Sequence, residues 1–214
     1  MFTGIIEEIG RVESLRESKG NRRITVSAPT LAKELKKGDS IAVSGVCLTA
    51  VEITPNSFSA DLAEETWRLT SLSRIHQGAL VNLELPMRAD GHFGGHIVQG
   101  HVDGTGELVS FEQLPGADNF WLTIRIPSEL ERYVISKGSL SIEGISLTVA
   151  RIEGTLVEVA VIPHTSENTN LRSLKPGDPV NLEVDALAKY VEKMMRKESS
   201  TSSLSVDYLV SQGF

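Results

Sequence analysis

Short runs in which apolar and polar residues alternate, each bounded by a turn signal, fill most of this chain. Ile24-Thr25-Val26-Ser27 and Leu122-Thr123-Ile124-Arg125 are rich in β-formers and end close to Pro29 and Pro127. The runs 40–43, 140–143 and 80–85 read the same way, while Lys37-Gly38, Gln77-Gly78, Lys137-Gly138 and Pro176-Gly177 supply turns at antiparallel spacing. Brief helical turns are expected after Pro29 and Pro127 and near residues 64–69. Towards the C-terminus the period changes. Leu187, Tyr190, Val191, Met194 and Met195 recur at helical spacing between Lys189, Glu192, Lys193 and Arg196, which predicts an amphipathic helix. A polar break follows at 199–203, and a short second helix is expected over 204–214.

The pattern occurs twice. A shift of 99 positions lays Gly45-Val46-Cys47-Leu48-Thr49 on Gly144-Ile145-Ser146-Leu147-Thr148, and Val81-Asn82-Leu83-Glu84 on Val180-Asn181-Leu182-Glu183. Between residues 45 and 84 this register holds 12 identities in 40 ungapped pairs, where chance supplies roughly two or three. Near the start of each copy the offset changes, so that Gly4 falls on Gly100 and Gly10 on Gly106. A unit of about 95 residues is a small domain rather than a solenoid repeat. Short strands in such a unit predict an all-β fold: two tandem antiparallel Greek-key barrels, since closure removes exposed edges. The expected boundaries are 1–96 and 97–185 for the barrels and 186–214 for a C-terminal helix and tail.

Composition narrows the partners. The formal charge is −7 and no block of Lys or Arg stands out, which argues against nucleic acid. The single cysteine, Cys47, excludes an intramolecular disulfide and a cysteine-based structural zinc site. No apolar run reaches the ~20 residues of a membrane helix, and the start lacks the basic-then-apolar order of a signal peptide. A soluble cytoplasmic protein is expected.

In a duplicated chain, shared positions report the common task and unshared ones report what a single copy does. Gly4/Gly100, Leu48/Leu147, Thr49/Thr148 and Thr66/Thr165 are shared. Glycine permits close approach to a ligand, and threonine hydroxyls can bond a heterocycle edge. The differences are chemical: Cys47 faces Ser146, Glu65 faces His164, Asp61 faces Ala160 and Ile5 faces His101. The second copy therefore carries a hydroxyl and two imidazoles able to move protons near neutral pH. His92, His96 and His101 share no helix face and no nearby carboxylate completes a triad, so no metal is expected. P-loop and dinucleotide fingerprints are missing as well.

Residues 1–7 (Met1-Phe2-Thr3-Gly4-Ile5-Ile6-Glu7), the stretch Gly94-Gly95-His96-Ile97-Val98-Gln99-Gly100-His101-Val102-Asp103-Gly104 and Gly144-Ile145-Ser146-Leu147-Thr148-Val149 closely resemble the riboflavin synthase family over residues 1–198. The resemblance implies two six-stranded barrels, each binding one 6,7-dimethyl-8-ribityllumazine, in an enzyme that needs no cofactor and converts two such molecules to riboflavin and 5-amino-6-ribitylamino-uracil by four-carbon transfer. It also implies a homotrimer joined through the C-terminal helices, and leaves association with lumazine synthase open. Carried over by motif, the first barrel's pocket would hold Gly4, Ile5, Ile6, Cys47, Leu48, Thr49, Asp61, Leu62, Ala63, Glu64, Glu65 and Thr66. The second would hold Gly100, His101, Val102, Ser146, Leu147, Thr148, Val161, Ile162, Pro163, His164, Thr165 and Ser166, with Lys137 nearby. His101, Ser146 and Thr148 would handle protons and position the nucleophile, Cys47 and Thr49 would contact the partner lumazine, and Phe2 would wall the interface. Asp185 would orient one of these groups or bind a ribityl hydroxyl, or else cap the following helix. Lys137 would be catalytic or a turn lysine. The alternative is a lumazine- or flavin-binding fluorophore carrier without catalysis. Mild departures from the family pattern stand at Gln99, Glu143 and Ser166.

Overall fold

The computed structural model describes residues 1–18, 20–195 and 210–212. Twelve strands close into two barrels. The first comprises β1 (Glu8–Ser18), β2 (Asn21–Ser27), β3 (Ser40–Val43), β4 (Val46–Ile53), β5 (Ser57–Leu62) and β6 (Leu80–Glu84). The second repeats it with β7 (Gly104–Gln113), β8 (Phe120–Arg125), β9 (Ser139–Ile142), β10 (Ile145–Glu153), β11 (Leu156–Val161) and β12 (Pro179–Val184). Around the first ring the order is β1-β2-β5-β4-β3-β6, and around the second β7-β8-β11-β10-β9-β12. Every neighbouring pair is antiparallel.

Closing six strands requires sharp local twist, which β-bulges supply. The register slips between Val12 and Ser14 in β1 and between Leu108 and Ser110 in β7. It slips again between Ala50 and Glu52 in β4 and between Val149 and Arg151 in β10. Bulges at matched positions show that the duplication extends to backbone irregularities.

Strand alternation sends one set of side chains into each barrel. Ile24, Ile41, Phe58 and Leu83 fill the first, and Leu122, Ile124, Leu140 and Leu182 fill the second, all essentially inaccessible. Truncating one of these to alanine costs about 2–5 kcal/mol through lost burial and the cavity left behind. The turns expected after the two prolines are 3-10 turns at Leu31–Lys33 and Ser128–Tyr133. The expected turn near residue 64 is the helix α1 (Glu64–Leu69), and the second barrel repeats it as α2 (Pro163–Glu167).

The C-terminal helix α3 (Ala186–Met195) docks on the second barrel through polar contacts. Tyr133 donates to Glu192, Arg132 pairs with Glu192, and Lys189 reaches Asp103 at 2.6 Å. Its apolar stripe is exposed among the described residues: Leu187, Tyr190, Val191, Met194 and Met195 are all open, Met194 by 82%. The second helix expected over 204–214 lies mostly outside the described residues. No helix among the described residues is long and apolar enough to cross a membrane.

Candidate functional site

The two barrels meet across a pseudo-twofold axis where Gly45 and Gly144 touch back to back. A Cβ on Gly45 would stand 2.8 Å from the Gly144 nitrogen, and one on Gly144 2.6 Å from the Gly45 nitrogen. Around this contact lies a reciprocal set of buried polar bonds. Asn82 Nδ2 donates to the Glu143 carbonyl and Asn181 Nδ2 to the Ser44 carbonyl, both at 2.9 Å. Glu143 breaks the symmetry. Its carboxylate accepts from the Asn181 N–H at 2.7 Å, Asn170 Nδ2 at 2.9 Å and Ser71 Oγ at 3.3 Å, so one buried side chain ties both halves together.

Two extended segments pass over this interface. Residues 1–6 precede β1, and residues 97–102 precede β7; Phe2 and Val98 pair in an antiparallel bridge between them. Each then crosses to the other barrel. The Ser146 N–H donates to the Gly4 carbonyl and the Cys47 N–H to the Gly100 carbonyl, both at 2.8 Å. Gly4 and Gly100 have φ of +77° and +79°, and a Cβ would lie 2.7 Å from Ser146 Cβ or 2.6 Å from Cys47 Cβ. Left-handed backbone and this contact both demand glycine. The close approach expected towards a ligand is therefore an approach to the opposite barrel.

That crossing corrects the grouping of the site residues. Gly4–Ile6 stand with Ser146–Thr148 of the second barrel, not with Cys47–Thr49, and Gly100–Val102 stand with Cys47 rather than Ser146. His101 follows Gly100, whose carbonyl accepts the Cys47 N–H, and so belongs with the first barrel's face. The imidazole at Ser146 is that of His96, whose Nδ1 is 2.7 Å from Ser146 Oγ. His96 is buried, and its Nε2 makes no hydrogen bond among the described residues. Burial pushes its pKa below 6.5, opposed by the nearby charge of Asp185. A neutral imidazole against a hydroxyl can pass a proton in either direction.

A sequence profile described as the lumazine binding domain fits residues 3–86 and again residues 99–185. The riboflavin synthase of Actinobacillus pleuropneumoniae is 44% identical, with all of both chains covered. That of Bacillus subtilis (strain 168) is 37% identical over 95% of this chain and 94% of its own. The chain belongs to the riboflavin synthase family. Among solved structures, LumP complexed with 6,7-dimethyl-8-(1'-D-ribityl) lumazine superposes with a TM-score of 0.78 at 24% identity, covering 86% of this chain and 99% of that one. LumP complexed with riboflavin gives 0.79 at the same identity and coverage. Both share the fold.

For this riboflavin synthase family member, strand alternation sorts the remaining candidates. Leu48, Leu62, Leu147 and Val161 are core side chains, whereas Thr49, Ala63, Thr148 and Ile162 are exposed outside the barrels. Thr49 lies opposite Ser40 in the β3–β4 ladder, and Thr148 opposite Ser139 in β9–β10. Ile5, Glu65, His101 and His164 are exposed too, so both faces are open. Ile6, Val102, Pro163, Thr165 and Thr66 are half-buried at their margins, and the Thr66 and Thr165 carbonyls each accept a threonine hydroxyl four residues on.

Several candidates are occupied within the fold. The Arg23 guanidinium holds the Asp61 carboxyl below its usual range at 2.6 Å, and Glu64 pairs with Arg22. Ser166 is fully buried and accepts from Arg172 Nε at 2.8 Å. Phe2 packs with Ala42, Val98 and Cys47 inside the chain. Lys137 is exposed in a left-handed turn whose N–H donates to the Val149 carbonyl. Asp185 Oδ1 accepts the Leu187 N–H at 2.9 Å, which caps α3.

His96 escaped the comparison of copies for a simple reason. It lies between the two stretches that fit the domain profile, residues 3–86 and 99–185, so the repeat does not point to it. The one local signal is Gly95, where a Cβ would sit 2.0 Å from the Thr3 carbonyl oxygen and 2.9 Å from Ser146 Cβ.

Proposed function

We propose that the chain catalyses the conversion of two molecules of 6,7-dimethyl-8-ribityllumazine to riboflavin and 5-amino-6-ribitylamino-uracil. The observation that carries this reading is the full-length relationship to riboflavin synthases, which spans both barrels and the connecting segments. Each open face would take one lumazine. The first would use Gly4–Ile6, Ser146, Thr148 and the 162–165 margin, and the second His101, Val102, Cys47, Thr49 and the 63–66 margin.

The chemistry needs orientation and proton movement. The 7-methyl protons of the lumazine are acidic because the ring delocalises the anion, and one ring then donates four carbons to the other. Two identical molecules supply every atom of both products. Holding the rings in reactive register can contribute up to ~7–11 kcal/mol in ideal cases. Proton transfer by positioned side chains adds about 10²–10⁴-fold. In this reading the Ser146–His96 pair, 2.7 Å apart, moves protons at one face and His101 does so at the other. In this reading Lys137 and Asp185 act at the margin of the Ser146 face.

Both faces are exposed among the described residues, which leaves them available to a second subunit. The working unit in this reading is a cytoplasmic homotrimer in which the first barrel of one subunit meets the second barrel of its neighbour. The exposed stripe on α3 supports that assembly. The test is to mix purified protein with the lumazine alone and follow riboflavin fluorescence. Tight binding without turnover would make the chain a pigment carrier instead.

A further inference from the structure

The last strand of each barrel carries a buried glutamate, Glu84 in β6 and Glu183 in β12, exposed by 3% and 2%. A carboxylate removed from water is costly unless its oxygens are satisfied. These two are satisfied by backbone. Glu84 Oε1 accepts the Thr3 N–H at 2.6 Å and the Thr3 hydroxyl at 2.9 Å, and its Oε2 accepts the Gly4 N–H at 3.0 Å. Glu183 Oε1 accepts the Gln99 N–H at 2.7 Å, and its Oε2 accepts those of Gly100 and His101 at 2.9 and 3.0 Å. Burial raises both pKa values while these donors pull them down.

An ionised carboxylate accepts without donating, which suits a run of successive N–H groups. The segments held in this way are the two that cross the interface. Glu84 belongs to the first barrel, yet it fixes Thr3 and Gly4, whose onward contact is Ser146 on the second. Glu183 belongs to the second barrel, yet it fixes Gln99–His101, whose onward contact is Cys47 on the first.

We propose that Glu84 and Glu183 are crosswise positioning residues, each setting the edge of the ligand face built on the opposite barrel. This rests on the reading of the two faces as lumazine sites. Glutamine at either position would place an amide donor against backbone donors and push the crossing segment outward.

The single cysteine makes the faces separable. Cys47 is half-buried, and its rate of alkylation by iodoacetamide, measured against riboflavin concentration, reports occupancy of its own face. Calorimetry with riboflavin counts both faces. Glu183→Gln is expected to raise the riboflavin concentration that half-protects Cys47 by about tenfold. Glu84→Gln is expected to leave that midpoint within about twofold while one calorimetric equivalent weakens about tenfold. A purely structural role gives the opposite pattern, because damage at Glu84 falls first on the barrel that carries Cys47. Glu84→Asp and Glu183→Asp keep the charge, should fold where the glutamine variants fail, and should show smaller shifts at the same faces.

Equal shifts of the Cys47 midpoint in both glutamine variants, or no shift in either calorimetric equivalent, would overturn the inference. Wild-type protein binding one riboflavin per chain would bring down the two-site reading, and this inference with it.

Discussion

Replacing Gly100 by alanine tests the crossing at its tightest point. The residue has φ of +79°, and the added methyl would lie 2.6 Å from Cys47 Cβ and 2.9 Å from the Cys47 nitrogen. Left-handed backbone costs an alanine about 1–2 kcal/mol. The contact adds about 1–3 kcal/mol, since it is with backbone and Cβ atoms that cannot swing aside. Gly78 isolates the first term, having φ of +90° and nothing within 4 Å of an added methyl. Gly100→Ala should therefore lose about 2–5 kcal/mol and Gly78→Ala about 1–2 kcal/mol. Urea unfolding followed by tryptophan fluorescence reads the difference, with Trp67 in the first barrel and Trp121 in the second as reporters. Equal losses in the two variants would show that the segment can move away from Cys47 freely, and the crossing would then position nothing.

Three further outcomes are expected. Ser146→Ala should lower turnover by about 10²-fold with far less effect on lumazine affinity, as steady-state rates and equilibrium titration will show; matched losses would reduce Ser146 to a binding group. His96 has a folded pKa below 6.5, so the neutral imidazole and its contribution persist above 6.5 and fade as pH falls through the depressed value. The acidic limb of kcat should lie below pH 6.5 and vanish in His96→Gln; a limb above 6.5 that survives the substitution would exclude His96 as its source. Glu143→Ala strands the Asn181 N–H, Asn170 Nδ2 and Ser71 Oγ and should cost about 3 kcal/mol, which denaturation would contradict by showing less than about 1 kcal/mol.

What the amino-acid order determined by itself is what depends on near neighbours and on repetition. Alternation in runs such as 24–27 and 122–125 marked strands because the pleat exposes alternate side chains on opposite faces. The 99-residue shift foretold two like barrels, and the helical period over 187–195 foretold α3. Alternation could also have separated core Leu48 and Leu147 from outward Cys47, Thr49, Ser146 and Thr148, although reading whole motifs as pocket walls hid the distinction. Tertiary structure alone decided which segment lies on which barrel. Both copies carry the same glycine ahead of their first strand, so nothing in the order of residues says whether Gly4 serves its own barrel or the other. That choice is made where Gly45 packs on Gly144 and the carboxylates of Glu84 and Glu183 hold the crossing strands. It sets Gly100, the neighbour of His101, on Cys47 and brings His96, which lies between the two matched copies, to Ser146.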